Sequence, residues 1–443
     1  MANTYLTRTP SSATNQKTWT VSFWCKLGKL GVNKSPFGTG TVTQTNSTHT
    51  RFQVNDTLRF LSIGTGATPD VELITTQLFR DVSAWYHIVY AVDTTQGTAS
   101  NRIKLYVNGS QVTSFSTATY PSINNDMYWN LASVVSIGRE GDAGNYFDGL
   151  ISHFNNIDGT AELPTAFGEY DANGVWKIKT SPSVTYGTNG FFILKDGNSV
   201  TDQSGNSNNF TVASGTLTNT EDSPSNVFCT MNPLNSVYIS FLNGNNTLSG
   251  GNNGTDFSYI GSTIGASSGK YYWEAKVTDL AEIDQVGIAL ASANFASIGT
   301  SHGLQGTQYG GKGFQFSNGN KVGDGSQSAY MGGFSANNIM MIALDLDNNK
   351  ITFGRDGQWG NGSGGADQTY SNSTPAYTNL TAGEFYVAAH AMRGSGGNTG
   401  ITQYNFGNGY FGTTAVASAG TNASGIGIFE YDVPTGFTAL STK

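Results

Sequence analysis

The residues of this chain that could do chemistry sit in three glycine-rich stretches, a few carboxylate runs and five histidines. Gly265-Ala266-Ser267-Ser268-Gly269 has the spacing of a nucleophile elbow, in which a strained turn lifts a serine Oγ between a strand and a helix. Here the stretch precedes a strand pattern, Gly269–Val277, so the serine lacks its context. Gly407-Asn408-Gly409-Tyr410-Phe411-Gly412 has the spacing of a dinucleotide turn, with Asp432 where a ribose-binding acid would stand. The Thr/Ala/Gly-rich residues that follow make no convincing helix to hold a pyrophosphate. Gly306–Gly313 nearly matches a phosphate loop, but Gly313 stands where a Mg2+-binding hydroxyl belongs. With 57 glycines such matches arise by chance, and none carries chemistry. Asp345-Leu346-Asp347-Asn348-Asn349-Lys350 begins like a Ca2+ loop, yet Lys350 replaces the required glycine and no Glu closes it. A hairpin turn accounts for it better. His49, His87, His153, His302 and His390 are scattered, and His87 and His153 fall in strand patterns.

The elements that would position any site are strands. Gly269–Val277 alternates, with Tyr271, Trp273, Ala275 and Val277 on one face and Lys270, Tyr272, Glu274 and Lys276 on the other. That puts Trp273 in a core and Glu274 on the surface. Thr18–Lys26 and Trp85–Asp93 alternate likewise, Arg102–Val107 leads into Asn108-Gly109, a strong hairpin signal, and Ile339–Asp345 turns back as Lys350–Phe353. No helical period occurs, apart from one short turn signalled by Pro164 and Phe167-Gly168. The expectation is an all-β chain of two tandem antiparallel β-sandwiches of jelly-roll type. Its parts are a first sandwich over 1–215, with 160–215 as accessory strands and loops, a linker over 216–234, and a second sandwich with a C-terminal extension over 235–443.

Bulk properties agree. The chain has 443 residues, with 25 Phe, 21 Tyr and 7 Trp, too many aromatics for a disordered chain. Its net charge of −8, with no basic run, argues against nucleic-acid binding. No apolar run suits a membrane span or a signal peptide, so the expectation is synthesis in a host cytoplasm. Cys25 and Cys229 read as small buried hydrophobes rather than a disulfide framework.

The strands Thr18–Lys26 and Trp85–Asp93, the Leu105-Tyr106-Val107-Asn108-Gly109 hairpin and Phe147-Asp148-Gly149-Leu150-Ile151 resemble, in that order, the laminin-G-like, concanavalin A-type domains. In the second half, Tyr272-Trp273-Glu274-Ala275-Lys276-Val277, Val286-Gly287-Ile288-Ala289, Asp345-Leu346-Asp347, Phe353 and Tyr404-Asn405-Phe406-Gly407 resemble a SPRY domain. Gly354-Arg355-Asp356-Gly357 departs from that pattern, lacking a hydrophobic residue before the turn. The pairing, with the opening Tyr5–Ala13, Asn232-Pro233-Leu234 and the ending Val433–Leu440, resembles virion proteins of tailed phages, especially marine ones.

The first resemblance implies two kinds of site. Loop carboxylates of laminin-G-like domains often hold Ca2+, and Asp93, Asp148 and Asp158 are the residues to hold it here. Concanavalin-like glycosidases carry Glu-x-Asp-x-x-Glu on one strand, but Glu282-Ile283-Asp284-Gln285-Val286-Gly287 ends in glycine and reads as a solvated acidic turn. The expected function is therefore non-enzymatic: a tail-fibre or host-attachment module on the virion surface, binding a host glycan or receptor through loops. Tyr309, Tyr330, Trp359 and Tyr370 lie in Gly/Asn/Ser-rich stretches and are the candidate stacking residues. The alternatives are a capsid or tail decoration protein that binds other virion proteins and, third, a glycan depolymerase. A homo-oligomer, such as a trimer, is expected.

Overall fold

The computed structural model describes residues 3–443 apart from 41–44, 67, 142–143, 196, 198, 237, 251–255, 296–302, 307–309 and 395–398. The chain divides into two compact units, Met1–Asn219 and Thr220–Lys443. Each is built on two large, mainly antiparallel sheets with a small two-stranded one beside them, and helical structure among the described residues is limited to short 3-10 turns such as Pro164–Ala166.

In the first unit a six-stranded sheet has Thr18–Leu27 near its centre, paired with Gly149–Asp158 on one side and Trp85–Asp93 on the other. An eight-stranded sheet faces it. Period-2 alternation sends Trp19, Val21, Phe23 and Cys25 into the space between, where they meet Phe37, Phe60 and Trp129. The eight-stranded sheet is completed by the first strand, Tyr5–Arg8, which bonds Val135–Ile137 on one side and Thr211–Ser214 on the other. Residues some 200 apart thus close the sandwich; the closing strand begins at Thr211, and the residues before it form a loop.

The outer face of the six-stranded sheet is also covered. Thr20, Ser22, Trp24 and Lys26 are all buried. The weakly patterned residues 160–190 lie over this face, where Phe167, Ala166 and Tyr186 join Val89, Ala91 and Ile157 in a second cluster.

In the second unit, Lys270–Asp279 pairs with Ile339–Asp345 and Gly400–Asn405 within a nine-stranded sheet, facing a seven-stranded one that includes Ile283–Leu290 and Tyr386–Arg393. Trp273, Ala275 and Val277 point into the core with Val286, Phe314 and Met392. Two expectations fail here. The stretch 216–234 is not a free linker: Phe228, Cys229 and Met231 are buried, and Met231 opens a strand. Nor is Glu282–Gly287 a solvated turn. Asp284 lies in a strand and is fully buried.

Two hairpins confirm the turn chemistry. Asn108 and Gly109 have φ of +48° and +81° between paired Val107 and Ser110. Asp356 and Gly357 have φ of +50° and +87° between paired Arg355 and Gln358. Positive φ at both central residues is the type I′ geometry that matches strand twist. A Cβ on Gly109 would lie 2.5 Å from the Trp176 ring. Gly109→Ala is therefore expected to cost about 1–2 kcal/mol, read as roughly tenfold faster amide exchange across residues 103–111; unchanged protection would refute the forced turn.

Candidate functional site

The aromatic candidates are mostly structural. Tyr330 is 1% exposed; its hydroxyl donates to Thr374 O at 2.7 Å and its ring meets Phe353 edge-on. Trp359 is 4% exposed and stands on a strand, against Tyr272 and Tyr370. Tyr370, half-buried, packs between Trp359 and Phe437. Tyr330 and Trp359 therefore offer no face for stacking on a ligand. Their glycine-rich flanks do form turns, but the rings fold back into the unit. Tyr309 lies outside the described residues, as does His302.

The three aspartates do not converge either. Asp93 and Asp158 stand opposite Thr18 and Trp19 at one end of the central strand, whereas Asp148 precedes Gly149, opposite Leu27 at the other. About nine residues of extended chain, roughly 30 Å, separate the two ends. Each carboxylate also has structural work. Asp93 accepts from Thr95 N, Thr95 Oγ1 and Gln96 Nε2. Asp158 accepts from Asn189 N at 2.9 Å and from Asn130 Nδ2 at 3.2 Å. Asp148 lies within electrostatic reach of buried Lys34; burial raises its pKa while Lys34 and Lys29 draw it down. Among the described residues no three His, Cys, Asp or Glu side chains are grouped to hold a metal ion.

Three polar constellations look chemical and are sealed. Around His87, the Trp176 Nε1–H donates to Nδ1 at 3.0 Å, and Ser22 Oγ lies 2.9 Å from Nε2. Indole is only a donor, so the ring is the Nε2–H tautomer and donates to Ser22. It cannot accept the serine proton at that nitrogen. Full burial, between the Trp24 and Trp176 rings, pushes its pKa down to about 3. In the second unit, His390 Nε2 meets Asp284 Oδ1 at 2.7 Å and its Nδ1 meets the Tyr404 hydroxyl at 2.7 Å. This has the outline of an acid–base relay, but all three are fully buried and Tyr404 stacks on Phe406. Glu140 is buried too; burial would raise its pKa, but His49, Arg51 and Asn145 hold it down at about 2. A carboxyl so acidic is no proton donor near neutrality.

Glu274 corrects a further expectation. It does point away from Trp273, yet it is fully buried, because residues 428–439 cover that face. Its Oε1 accepts from the Tyr272 hydroxyl and Tyr431 N, both at 2.9 Å; its Oε2 accepts from Glu430 N at 2.9 Å and Asn405 Nδ2 at 3.2 Å. Burial pushes its pKa up to about 7 against the pull of these four donors.

An open site remains in the first unit. A cleft of about 500 Å3 lies where Tyr5–Arg8 meets Thr211–Ser214 and the loop before it. Thr7, Thr9, Ser11, Ser207, Asn209 and Thr211 surround Arg8, with Val134 beside them. The loop is built on Asp202, whose carboxylate accepts from Phe192 N, Ser204 N, Ser204 Oγ and Asn208 N. Asn208 Nδ2 is fixed by the carbonyls of Thr188 and Gly190, which turns its Oδ1 to Arg8 Nη2. Arg8 Nη1 is shielded from water and makes no hydrogen bond among the described residues. None of the lining residues is a carboxylate. The sequence reading missed this site, since only the pairing of the first strand with residues 211–214 assembles it.

Residues 2–160 match the laminin-G type model of the concanavalin A-like lectin/glucanases superfamily. No curated protein matches the chain. Among solved structures, the SPRY domain of human HERC1 is similar at 16% identity, with 39% of this chain and 96% of that one covered and a TM-score of 0.31. Stonustoxin is similar at 12% identity over 40% of this chain and 27% of its own, with a TM-score of 0.30. The TRIM65 PSpry domain is similar at 13% identity over 40% and 91%, with a TM-score of 0.28.

Glu274 yields a test of the covering segment. In Glu274→Gln an NH2 must face N–H or O–H donors, so the Glu430 and Tyr431 amides are expected to exchange at least about tenfold faster. An ordinary glutamate titrates near 4.5, so between that value and about 7 the folded chain keeps a proton the unfolded chain has lost. The stability carried by Glu274 is fullest below about pH 4.5 and falls as pH rises through about 7, by roughly 3 kcal/mol. The advantage of wild type over the variant in urea should thus be larger at pH 5 than at pH 8. A constant difference would refute the assignment.

Proposed function

We propose that this chain is a non-enzymatic surface protein of a tailed-phage virion, a host-attachment module that binds a surface glycan or receptor. One observation carries the binding part of this reading. The acid–base constellations built on His87, His390 and Glu274 lie in the core, whereas the open cleft at Arg8 is lined by hydrogen-bonding groups without a carboxylate pair. Retaining glycoside hydrolysis wants two carboxyls about 5–5.5 Å apart in a sugar cleft, so a depolymerase ranks last. The concanavalin A-like match over residues 2–160 supports a binding module. The virion part rests on the whole-chain resemblance to phage proteins, and with it go a virion-surface location and a homo-oligomer such as a trimer.

A second reading, a capsid or tail decoration protein bound to other virion proteins, has its own support. Thr211–Ser214 and Ser326–Ala329 end their sheets, and all their side chains are exposed. Such edges suit pairing with another chain. The two readings part on purified full-length chain applied to bacterial cells and a glycan array. Saturable binding, with no release of reducing ends from the bound glycan, is the expected outcome. No cell or glycan binding, with the chain packed into a capsid lattice in a virion map, would replace attachment by decoration.

A further inference from the structure

We propose that the strand Ile239–Leu242 is a self-association edge, to which a second copy of this chain adds its own Ile239–Leu242 in antiparallel pairing about a two-fold axis. This rests on the homo-oligomer of the reading above and names its interface.

Ile239–Leu242 ends the nine-stranded sheet, and among the described strands it pairs with Thr247–Gly250 alone. The register of that pair runs without a shift, from Ile239 opposite Gly250 to Leu242 opposite Thr247. Its outer side therefore carries backbone N–H and C=O groups that no described strand meets. Sheet edges are commonly guarded by charge, proline or a bulge. The run Ile-Ser-Phe-Leu has no charge and no proline, and its pairing has no bulge. The preceding strand, Met231–Ser236, ends the seven-stranded sheet and is guarded: Pro233 removes a donor and the register shifts along it.

The side chains show what this edge lacks. Ile239 and Phe241 pack against the core of the second unit yet stay half-buried at the sheet's end. Leu234 and Tyr238, close in sequence, are 56% and 60% exposed. The edges at Thr211–Ser214 and Ser326–Ala329 differ, since all their side chains are exposed and none joins a core cluster.

A copy of the same strand fits this edge. Residues 223–255 contain no charged side chain, although the chain carries a net charge of −8. Two copies thus meet here without bringing like charges together, whereas a charged partner would find no complement. A two-fold axis normal to the sheet keeps the core-facing side chains of both copies on one side. Centred on Ser240, it sets Ile239 of one copy opposite Phe241 of the other, a β-branched and aromatic pair of the kind that stabilises sheets. On the outer side it brings Leu242 up to the exposed Tyr238. Such a contact closes at two copies and builds no fibre.

The test is sedimentation of the full-length chain over a dilution series. Wild type should show a monomer–dimer equilibrium. Ser240→Lys and Ser240→Glu, at an exposed position, should each weaken the dimer at least about tenfold by setting like charges opposite each other. Mixing the two variants should restore it, which also shows that both are folded. Ser328→Lys, on an exposed edge of the seven-stranded sheet, should leave the dimer unchanged. No recovery on mixing, or dissociation by Ser328→Lys, would overturn the assignment. A trimer, or a dimer indifferent to both Ser240 variants, overturns this edge but leaves the homo-oligomer standing. A chain that stays monomeric sinks both. A dimer that behaves as expected but binds no cell or glycan keeps the edge and removes the attachment reading.

Discussion

The buried carboxylate of Glu274 decides how the second sandwich is built. A charged or ionisable group taken out of water is tolerated only where partners replace the water. Here the partners come from Asn405 and Tyr272 on the sheet and from the Glu430 and Tyr431 amides on the covering segment. Each side supplies what the other lacks. Without the segment, Glu274 would be an ordinary surface residue and Tyr272, Met341 and Trp359 would lie open. Without Glu274, the two amides would be buried donors lacking acceptors. The sheet is therefore covered on both faces around Glu274, and the chain returns to it as Thr438–Ala439, paired parallel with Tyr271 and Tyr272.

The first sandwich solves the same problem with different residues. Its covering segment is fastened to polar side chains that alternation points away from the core. Thr20 Oγ1 donates to Thr160 O and accepts from Glu162 N, both at 2.7 Å. The Tyr186 hydroxyl donates to Asn155 Oδ1, and the Trp176 indole donates to His87. In each unit, then, a titratable group with the look of catalysis, His87 in the first and Glu274 in the second, fastens a third layer. Their perturbed pKa values follow from burial under that layer, which is why a shifted pKa alone is a poor guide to an active site here.

Alternation made the strands and their inward faces legible. Trp19, Val21, Phe23, Trp273 and Val277 are in the cores that period-2 reading assigns them, and Asn108-Gly109 turns as its residue types require. The second face was not legible, because whether it meets water depends on chain far away in sequence. Glu274 is covered by residues more than 150 positions later, so its polarity suggested a surface. Asp284 misled for the same reason: its partner, His390, is on another strand. The Gly/Asn-rich context of Tyr330 and Trp359 reported the turns correctly but carried no information about where the rings go. The Arg8 cleft needed a contact across some 200 residues, which local alternation does not report.

This division bears on where recognition can lie. The outer faces of the central strands Thr18–Leu27 and Lys270–Asp279 are occupied by the protein's own chain. Open in the first unit is a margin, the cleft where residues 207–211 meet the first strand. A margin of that kind is held by rigid pairing on its inner side and is free to vary on its outer side. The Asp202 loop shows how: its backbone is pinned by one buried carboxylate, while Asn209 and Ser207 on its rim stay exposed. Substitution at Ser207 leaves the bonds that hold the loop in place, whereas Asn209 is one of its fastenings through the bond it accepts from Asp202 N.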